Sequence, residues 1–367
     1  MILFTLDKFL PERQKFAITC THENSWESYT AQYQKVMNIL NETGLKFHYQ
    51  LNSRSYAYMF LLRHYCELKL KSIIFKEGND VPNTHVFSEL LPLVSEVPQG
   101  LISALELIND DQDGSCYRYF YGNDGEVGPL YGKVREMLPF YEHISTIPSE
   151  SSAKMDLGLS AVFHRRLRWE LTFHFNEVGF PGVLRSQYDY LTEFFIIGII
   201  SGDFDVNDIY LPLLFLIRHS IELALKENLT DLLHTAEEQQ QKKINRLISR
   251  EHKLARLFNK YVELLPVDKI PELPVEMQEQ YHNYMAQADH LKELIHRIDT
   301  NSRYFRFPFN PATEHLHIGR DILIDILTDF LTVDGFLTFS VDVLKEHNLI
   351  PYSDREIERM MGFNGFE

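Results

Sequence analysis

The chain has 367 residues, enough for two domains that each bury a core. Apolar residues make up 44% and aromatics 13%, which excludes a disordered chain. A formal charge of −16 excludes a broad basic surface, so nonspecific duplex DNA binding is not expected, although a local basic groove is compatible with it.

Met1-Ile-Leu-Phe4 is followed at once by Asp7, Lys8 and Glu12, without the cationic start of a secretory leader. Cys20, Cys66 and Cys116 are odd in number, far apart and never in a Cys-x-x-Cys pair, which fits reduced cytosolic thiols rather than disulfides or a zinc site. The most apolar run, residues 194–200, is soon broken by Asp203, Asp205 and Asp208, too early to span a bilayer. A soluble, cytoplasmic protein without a membrane span is expected.

In chain order, Phe16, Ile18 and Cys20 alternate with polar residues, a weak strand pattern. Residues 25–40 read as a helix that stops near Gly44. A second helix, 55–75, carries the block Phe60-Leu-Leu-Arg63-His64-x-x-Glu67-Leu68-x-Leu70-Lys71. After it come His85-x-Phe87-x-x-Leu90, the aromatic-arginine patch Tyr117-Arg118-Tyr119, and an amphipathic helix over 130–143. The polar, Ser-rich run from Ile147 to Ala153 marks a boundary.

Beyond it the same order returns. Leu167, Trp169, Leu171, Phe173 and Phe175 alternate with Arg168, Glu170, Thr172 and His174, the period of a strand. A helix over 184–197 stops near Gly198, and one over 209–227 carries Phe215-Leu-Ile-Arg218-His219-x-x-Glu222-Leu223-x-Leu225-Lys226. Gln32-Tyr33 and Gln187-Tyr188 precede the two blocks at one offset, since 187 − 32 = 218 − 63 = 155. A Glu/Gln/Lys-rich insertion over 235–243 moves the offset to 167 at His252-x-Leu254-x-x-Leu257. Phe305-Arg306-Phe307 repeats the aromatic patch in a loop, and a last helix covers 322–345. The expected fold is mostly α: two related helical-bundle halves from an internal duplication, 1–150 and 151–367, each with a small strand element.

On a helix His64, Glu67 and Lys71 share a face, with Arg63 beside Glu67; His219, Glu222, Lys226 and Arg218 do the same. Both helices are apolar nearly all round and should be buried, so the charges need partners. Arg118 docking on Glu67 and Arg306 on Glu222 would supply them. Two readings follow: a buried salt-bridge network that fixes helix packing, or a polar pocket in which Arg and Lys hold phosphate and His moves a proton.

The Glu67/Lys71 and Glu222/Lys226 pairs on inner helices, within the doubled Arg-His-x-x-Glu-Leu-x-Leu-Lys phrase, resemble the HEPN superfamily of nucleotide-binding helical domains, in the form found in bacterial defence and toxin loci. The likeness rests on these short blocks and extends over most of both halves. It implies a mostly helical protein that binds RNA, a nucleotide or a partner protein within a multi-subunit defence system, with no cofactor and no metal. Active members are metal-independent ribonucleases whose signature is an Arg and a polar residue with a His four to six positions on, paired across a dimer; two halves in one chain would resemble that dimer.

Here His64 and His219 directly follow Arg63 and Arg218, so the signature is not intact. Arg168–His174 and Arg246–His252 do fit its spacing; the first pair sits on the expected strand, and the second, on helix, is a minor candidate. As an enzyme the protein would be an endoribonuclease with His64 and His219 as acid and base, and with Arg63, Arg218, Arg118 and Arg306 steadying phosphate. Otherwise it is a non-catalytic nucleotide-, RNA- or partner-binding module, or a plain helical scaffold. The pair His315-x-His317 beside Glu314, and the acidic run Asp203, Asp205 and Asp208, lack the other ligands a metal site needs.

Overall fold

The structure, a computed structural model, describes residues 4–19, 23–46, 55–98, 101–102, 105, 108, 114–115, 117–119, 134–136, 172–174, 181–298, 303–308, 319–352 and 357. The protein is mostly helical. The helices of the first half are α1 (Leu6–Phe9), α2 (Trp26–Lys46), α3 (Ser55–Lys76) and α4 (Phe87–Leu90). Strand β1 (Val134–Glu136) pairs antiparallel with β2 (Thr172–His174), Arg135 opposite Phe173. Then follow α5 (Pro181–Ser201), α6 (Tyr210–Leu232), α7 (Glu238–Arg250), α8 (Leu254–Leu264), α9 (Val275–Ala286), α10 (Ala288–Ile298) and α11 (Ile322–Glu346). Among the described residues no helix is long and apolar enough to cross a membrane.

The chain forms two compact units: a larger one of Gln14–Leu216 with Ser302–Leu323, and a smaller one of Met1–Arg13, Ile217–Asn301 and Ile324–Glu367. In the larger unit α3 packs against α2 and α5. It is buried on nearly every side, from Ala57 through Leu62 and on to Leu68, Leu70 and Ile74, as its unbroken apolar pattern requires.

Equivalent residues of the two halves exchange contacts inside this unit. The Gln187 side-chain oxygen accepts from the Tyr56 amide at the start of α3 (2.7 Å), and that of Gln32 accepts from the Leu211 amide at the start of α6 (2.8 Å). The first amides of a helix have no partner within it, and here both ends are buried, so each glutamine acts as a cap for the other half's helix. Likewise the Tyr188 hydroxyl donates to the carbonyl of Tyr117, and the Tyr33 hydroxyl to that of Phe305. Phe60 and Phe215, equivalent positions, stack at 4.7 Å. Gln32→Ala and Gln187→Ala should each lower stability by about 1–3 kcal/mol, because a buried amide loses its acceptor. The check is a lower denaturant midpoint at unchanged m-value; an unshifted midpoint would show that the amide finds another acceptor.

The smaller unit is organised on α11. The Tyr281 hydroxyl donates to the Ser340 carbonyl (3.1 Å), Tyr261 bonds the Ser340 hydroxyl, and Asn228 donates to Leu337 O (2.7 Å). Lys345 reaches back to Asp231 at 2.7 Å. The inserted Glu/Gln/Lys stretch opens α7, whose polar face is exposed while Ile244 and Ile248 are buried.

Several expectations change. Helix α2 ends at Lys46, near Gly44 as expected, whereas α5 runs through Gly198 to Ser201. The stop of α5 is Gly202, in left-handed conformation (φ 80°), with the Asp203 amide bonded to Gly198 O and the Gly202 amide to Ile199 O. That pairing closes a helix end in the way only glycine tolerates well. Gly198 serves packing instead, since a Cβ there would collide with the Phe204 ring. The alternation at Phe16 and Ile18 is not a strand: a 3-10 helix spans Leu10–Phe16 and an irregular segment follows, pinned by the Ile18 amide on Arg320 O (2.8 Å). Cys20 lies outside the described residues, and among those described no strand pairs with this short alternation, which alone carries too little pairing to hold one. Residues 134–136 of the expected helix 130–143 form β1, where pairing with β2 overrides the helical pattern. The strand expected over 167–175 is described at 172–174 and is β2 there. The boundary at 147–153 lies outside the described residues.

Candidate functional site

The two repeated blocks build two copies of one cluster. In the larger unit Glu67 lies one helical turn from Arg63 and one from Lys71, so both cations reach it along α3. The Arg63 guanidinium donates to one carboxylate oxygen at 2.8 Å and the Lys71 ammonium to the other at 2.7 Å. The partner from outside the helix is His85, whose Nδ1–H donates to the Lys71-bound oxygen at 2.8 Å. Arg63 also donates to the His85 carbonyl, and its plane covers the Phe87 ring at 4.5 Å.

In the smaller unit the arrangement recurs. Arg218 and Lys226 bind Glu222 at 2.9 and 3.1 Å, His252 Nδ1 binds it at 2.9 Å, and Arg218 donates to the His252 carbonyl at 2.6 Å. Each outer histidine stands two residues before a short helix, α4 or α8. Thus His252 belongs to the site through Glu222 and Arg218, whereas Arg246 is exposed on α7.

Glu67 and Glu222 are buried in full. Burial alone would raise the Glu67 carboxyl. The His85 hydrogen bond and the charges of Lys71 and Arg63 outweigh it and hold the group far below the usual carboxylate range. Glu222 is held low in the same way by Lys226, His219, His252 and Arg218. Each carboxylate accepts from Nδ1 of its outer imidazole and so fixes the orientation of a half-exposed ring.

The inner histidines are placed differently. His64 is buried, stacked on Phe60 and edge-on to Tyr33 and Phe307, and its Nε2–H donates to the Arg306 carbonyl at 3.0 Å. Burial keeps it neutral, well below its ordinary value, despite nearby Glu67. His219 is also fully buried, with Nδ1 3.9 Å from Glu222. These two rings are buried, while His85 and His252 are half-exposed.

Arg118 does not dock on Glu67. It donates to the Tyr119 hydroxyl (2.7 Å) and lies over the Tyr119, Phe60 and Phe215 rings. Glu67 is already saturated by its own helix and His85. Arg306 lies over Phe215 and Phe307, and Lys71 caps the other side of the cluster at 4.6 Å from the Phe307 ring. Arg63, Arg118 and Arg306 converge with His64, Glu67, His85, Phe60 and Gly114 around a cavity of about 20 Å³. Three guanidiniums thus face one carboxylate. Burial and the like charge of Arg118 push the Arg306 guanidinium down to about 9.

No family model, curated protein or solved structure matches this chain. The site's chemistry is therefore read from its geometry. A small cavity walled by guanidiniums is suited to an anion, since charged donors converging on one point bond a charged acceptor strongly.

The remaining described candidates lie elsewhere. Among the described residues no group of His, Cys, Asp and Glu is placed to hold a metal ion. Asp205 caps Asn207 and Asp208 pairs with Lys35. His174 lies on β2, while Arg168, Glu314, His315 and His317 fall outside the described residues. Cys66 is buried, which pushes its thiol up to about 12 and makes it inert. His85 was missed as a site member by its distance in sequence, and His252 was named only as a minor candidate paired with Arg246. Their signal was the repeated His-x-Phe/Leu-x-x-Leu phrase.

Proposed function

We propose that the protein is a HEPN-like component of a bacterial defence or toxin system that binds a nucleotide or RNA by its phosphate at the arginine-lined cavity. The observation that supports this reading is the convergence of Arg63, Arg118 and Arg306 on one small cavity holding one carboxylate. Arginine forks match phosphate oxygens in geometry as well as charge. The Arg-Glu-Lys-His clusters hold the surrounding helices in place, and burial of His64 and His219 favours a binding role over a catalytic one. A local cationic cavity on a chain of charge −16 also suits a ligand that enters one pocket rather than a duplex lying across a surface.

Calorimetric titration of the full chain with AMP, ATP and a ten-nucleotide single-stranded RNA tests it. At least one probe should bind, and Arg118→Ala/Arg306→Ala should weaken it by about tenfold or more. Absence of binding by every probe would reject the reading and leave a partner-binding module or a scaffold.

A further inference from the structure

Helix α7 begins in the insertion that moves the repeat offset from 155 to 167, whereas the first-half connection between α3 and His85 carries Glu77 and Asp80 and no cation. From Lys242 to Lys260 the chain holds seven Lys or Arg against one acid, Glu251. That is +6 within a total of −16, so the remainder carries −22. We propose that α7 and the start of α8 form a docking stripe for a single nucleic-acid strand, held by its phosphodiester backbone. The stripe belongs to the smaller unit and the arginine-lined cavity to the larger, so neither depends on the other.

Ile244 and Ile248 anchor α7 by its buried face. On the outer face Lys243, Arg246 and Arg250 are exposed, and their spacing of three and four residues sets them in one row. At the rise of an α-helix that row is about 10 Å long. Just past it Lys253 and Arg256 add two more exposed cations. Lys242 meets Glu238 at 3.3 Å and Arg256 meets Glu251 at 3.0 Å. Among the described residues Lys243, Arg246, Arg250 and Lys253 have no carboxylate within ion-pair distance.

Helix stability accounts for only part of this pattern. Cations in the last turn of α7 suit the negative end of its dipole, as Glu238 suits its start. Lys253 and Arg256 stand instead at the start of α8, the positive end, where cations are disfavoured. Like charges three and four residues apart also cost a helix stability, and a merely solvated face mixes both signs. The neighbouring side chains indicate the occupant. Asn245 and Ser249 lie among the cations, and no large apolar side chain from 238 to 260 is exposed. Lys, Arg, Asn and Ser are the side chains that contact phosphates, whereas a protein partner needs apolar or aromatic anchors. One row matches one backbone; a duplex presents two and needs a broader basic face than a chain of −16 supplies.

The test is fluorescence anisotropy on the full chain with a labelled twenty-nucleotide single strand, as RNA and as DNA, over a series of salt concentrations. The strand should bind, and the logarithm of its affinity should fall against that of salt with a slope of about −3 for four phosphates. Binding by RNA alone or DNA alone supports the stripe and assigns the sugar. Lys243→Gln/Arg246→Gln/Arg250→Gln/Lys253→Gln should weaken binding about tenfold or more at low salt and remove most of the slope, while circular dichroism confirms the fold. If that variant does not fold, Arg246→Gln/Arg250→Gln is read in its place, with about half the loss of slope. AMP binding should be the same in variant and wild type. A strand lost by the variant, with AMP bound by neither protein, supports the stripe and rejects the cavity reading. Absence of strand binding, equal affinity in variant and wild type, or tighter binding of a duplex overturns the proposal. Polyglutamate bound as tightly as the strand overturns it in favour of an acidic protein partner.

Discussion

Replacing Glu67 by alanine is expected to lower stability by about 3–5 kcal/mol, the scale for removing one partner from a buried ion network. Arg63 and Lys71 are almost fully buried, and both spend hydrogen bonds on this carboxylate, as does His85. Without it two buried cations and a half-exposed imidazole lose their shared partner. Glu222→Ala should behave alike, because Arg218, Lys226 and His252 surround it in the same geometry. Denaturant unfolding measures the loss. A combined Arg63→Met/Glu67→Leu/Lys71→Met variant distinguishes the costs, since an apolar replacement of a whole buried network is often neutral. A fold that tolerates the triple change but not the single one shows that the cluster's worth is its mutual compensation. A Glu67→Ala protein as stable as the wild type would show that water reaches the cluster and solvates its cations.

Acid should destabilise the protein in two stages. Burial holds His64 neutral, so below about pH 6.5 the unfolded chain takes up a proton that the native chain refuses. Unfolding then consumes protons, and stability falls with falling pH. Glu67 and Glu222, held low in the native state, add a steeper loss once the pH passes below about 4.3, the ordinary glutamate value. Asp329 acts in the opposite sense. Burial raises it from 3.8 to about 6, so across that window the native state holds the proton more tightly and gains stability as pH falls. Melting temperatures followed from pH 8 to 4 should therefore decline with a shallow first stage. His64→Gln, which keeps a donor for the Arg306 carbonyl, should flatten that stage, and Asp329→Asn should steepen it. A first stage unchanged in His64→Gln would assign it to another group.

Much of the helical frame was legible because periodicity reports burial directly. The block helices expected at 55–75 and 209–227 are observed as Ser55–Lys76 and Tyr210–Leu232. The 155-residue offset linking Gln32-Tyr33 to Gln187-Tyr188 turned out to mark contacts as well as resemblance, since each pair serves the other half. Site membership was harder. Arg63, Glu67 and Lys71 were placed together by helical spacing alone, a local property. His85 joins across a turn and 18 residues, His252 across 30, and no period connects them to the helix. Arg118 and Arg306 were expected on carboxylates, and both line the cavity instead. Charge complementarity suggests a carboxylate for every arginine, while here aromatic faces and a cavity take that place. Short elements failed where pairing outweighed pattern, as at Val134–Glu136.

The exchanged glutamine and tyrosine contacts have a consequence for how the chain is made. The amide of Leu211 meets Gln32 across 179 residues, Tyr56 meets Gln187 across 131, and Tyr33 meets Phe305 across 272. These are non-local closures, which slow folding because loop entropy is lost before any contact is gained. At ribosomal speeds of about 5–20 residues per second, α2 waits roughly ten to thirty seconds for α6 to be synthesised. Until Gln187 is synthesised the buried Tyr56 amide at the start of α3 lacks its cap, so the first-half helices reach their full stability only after the second half emerges.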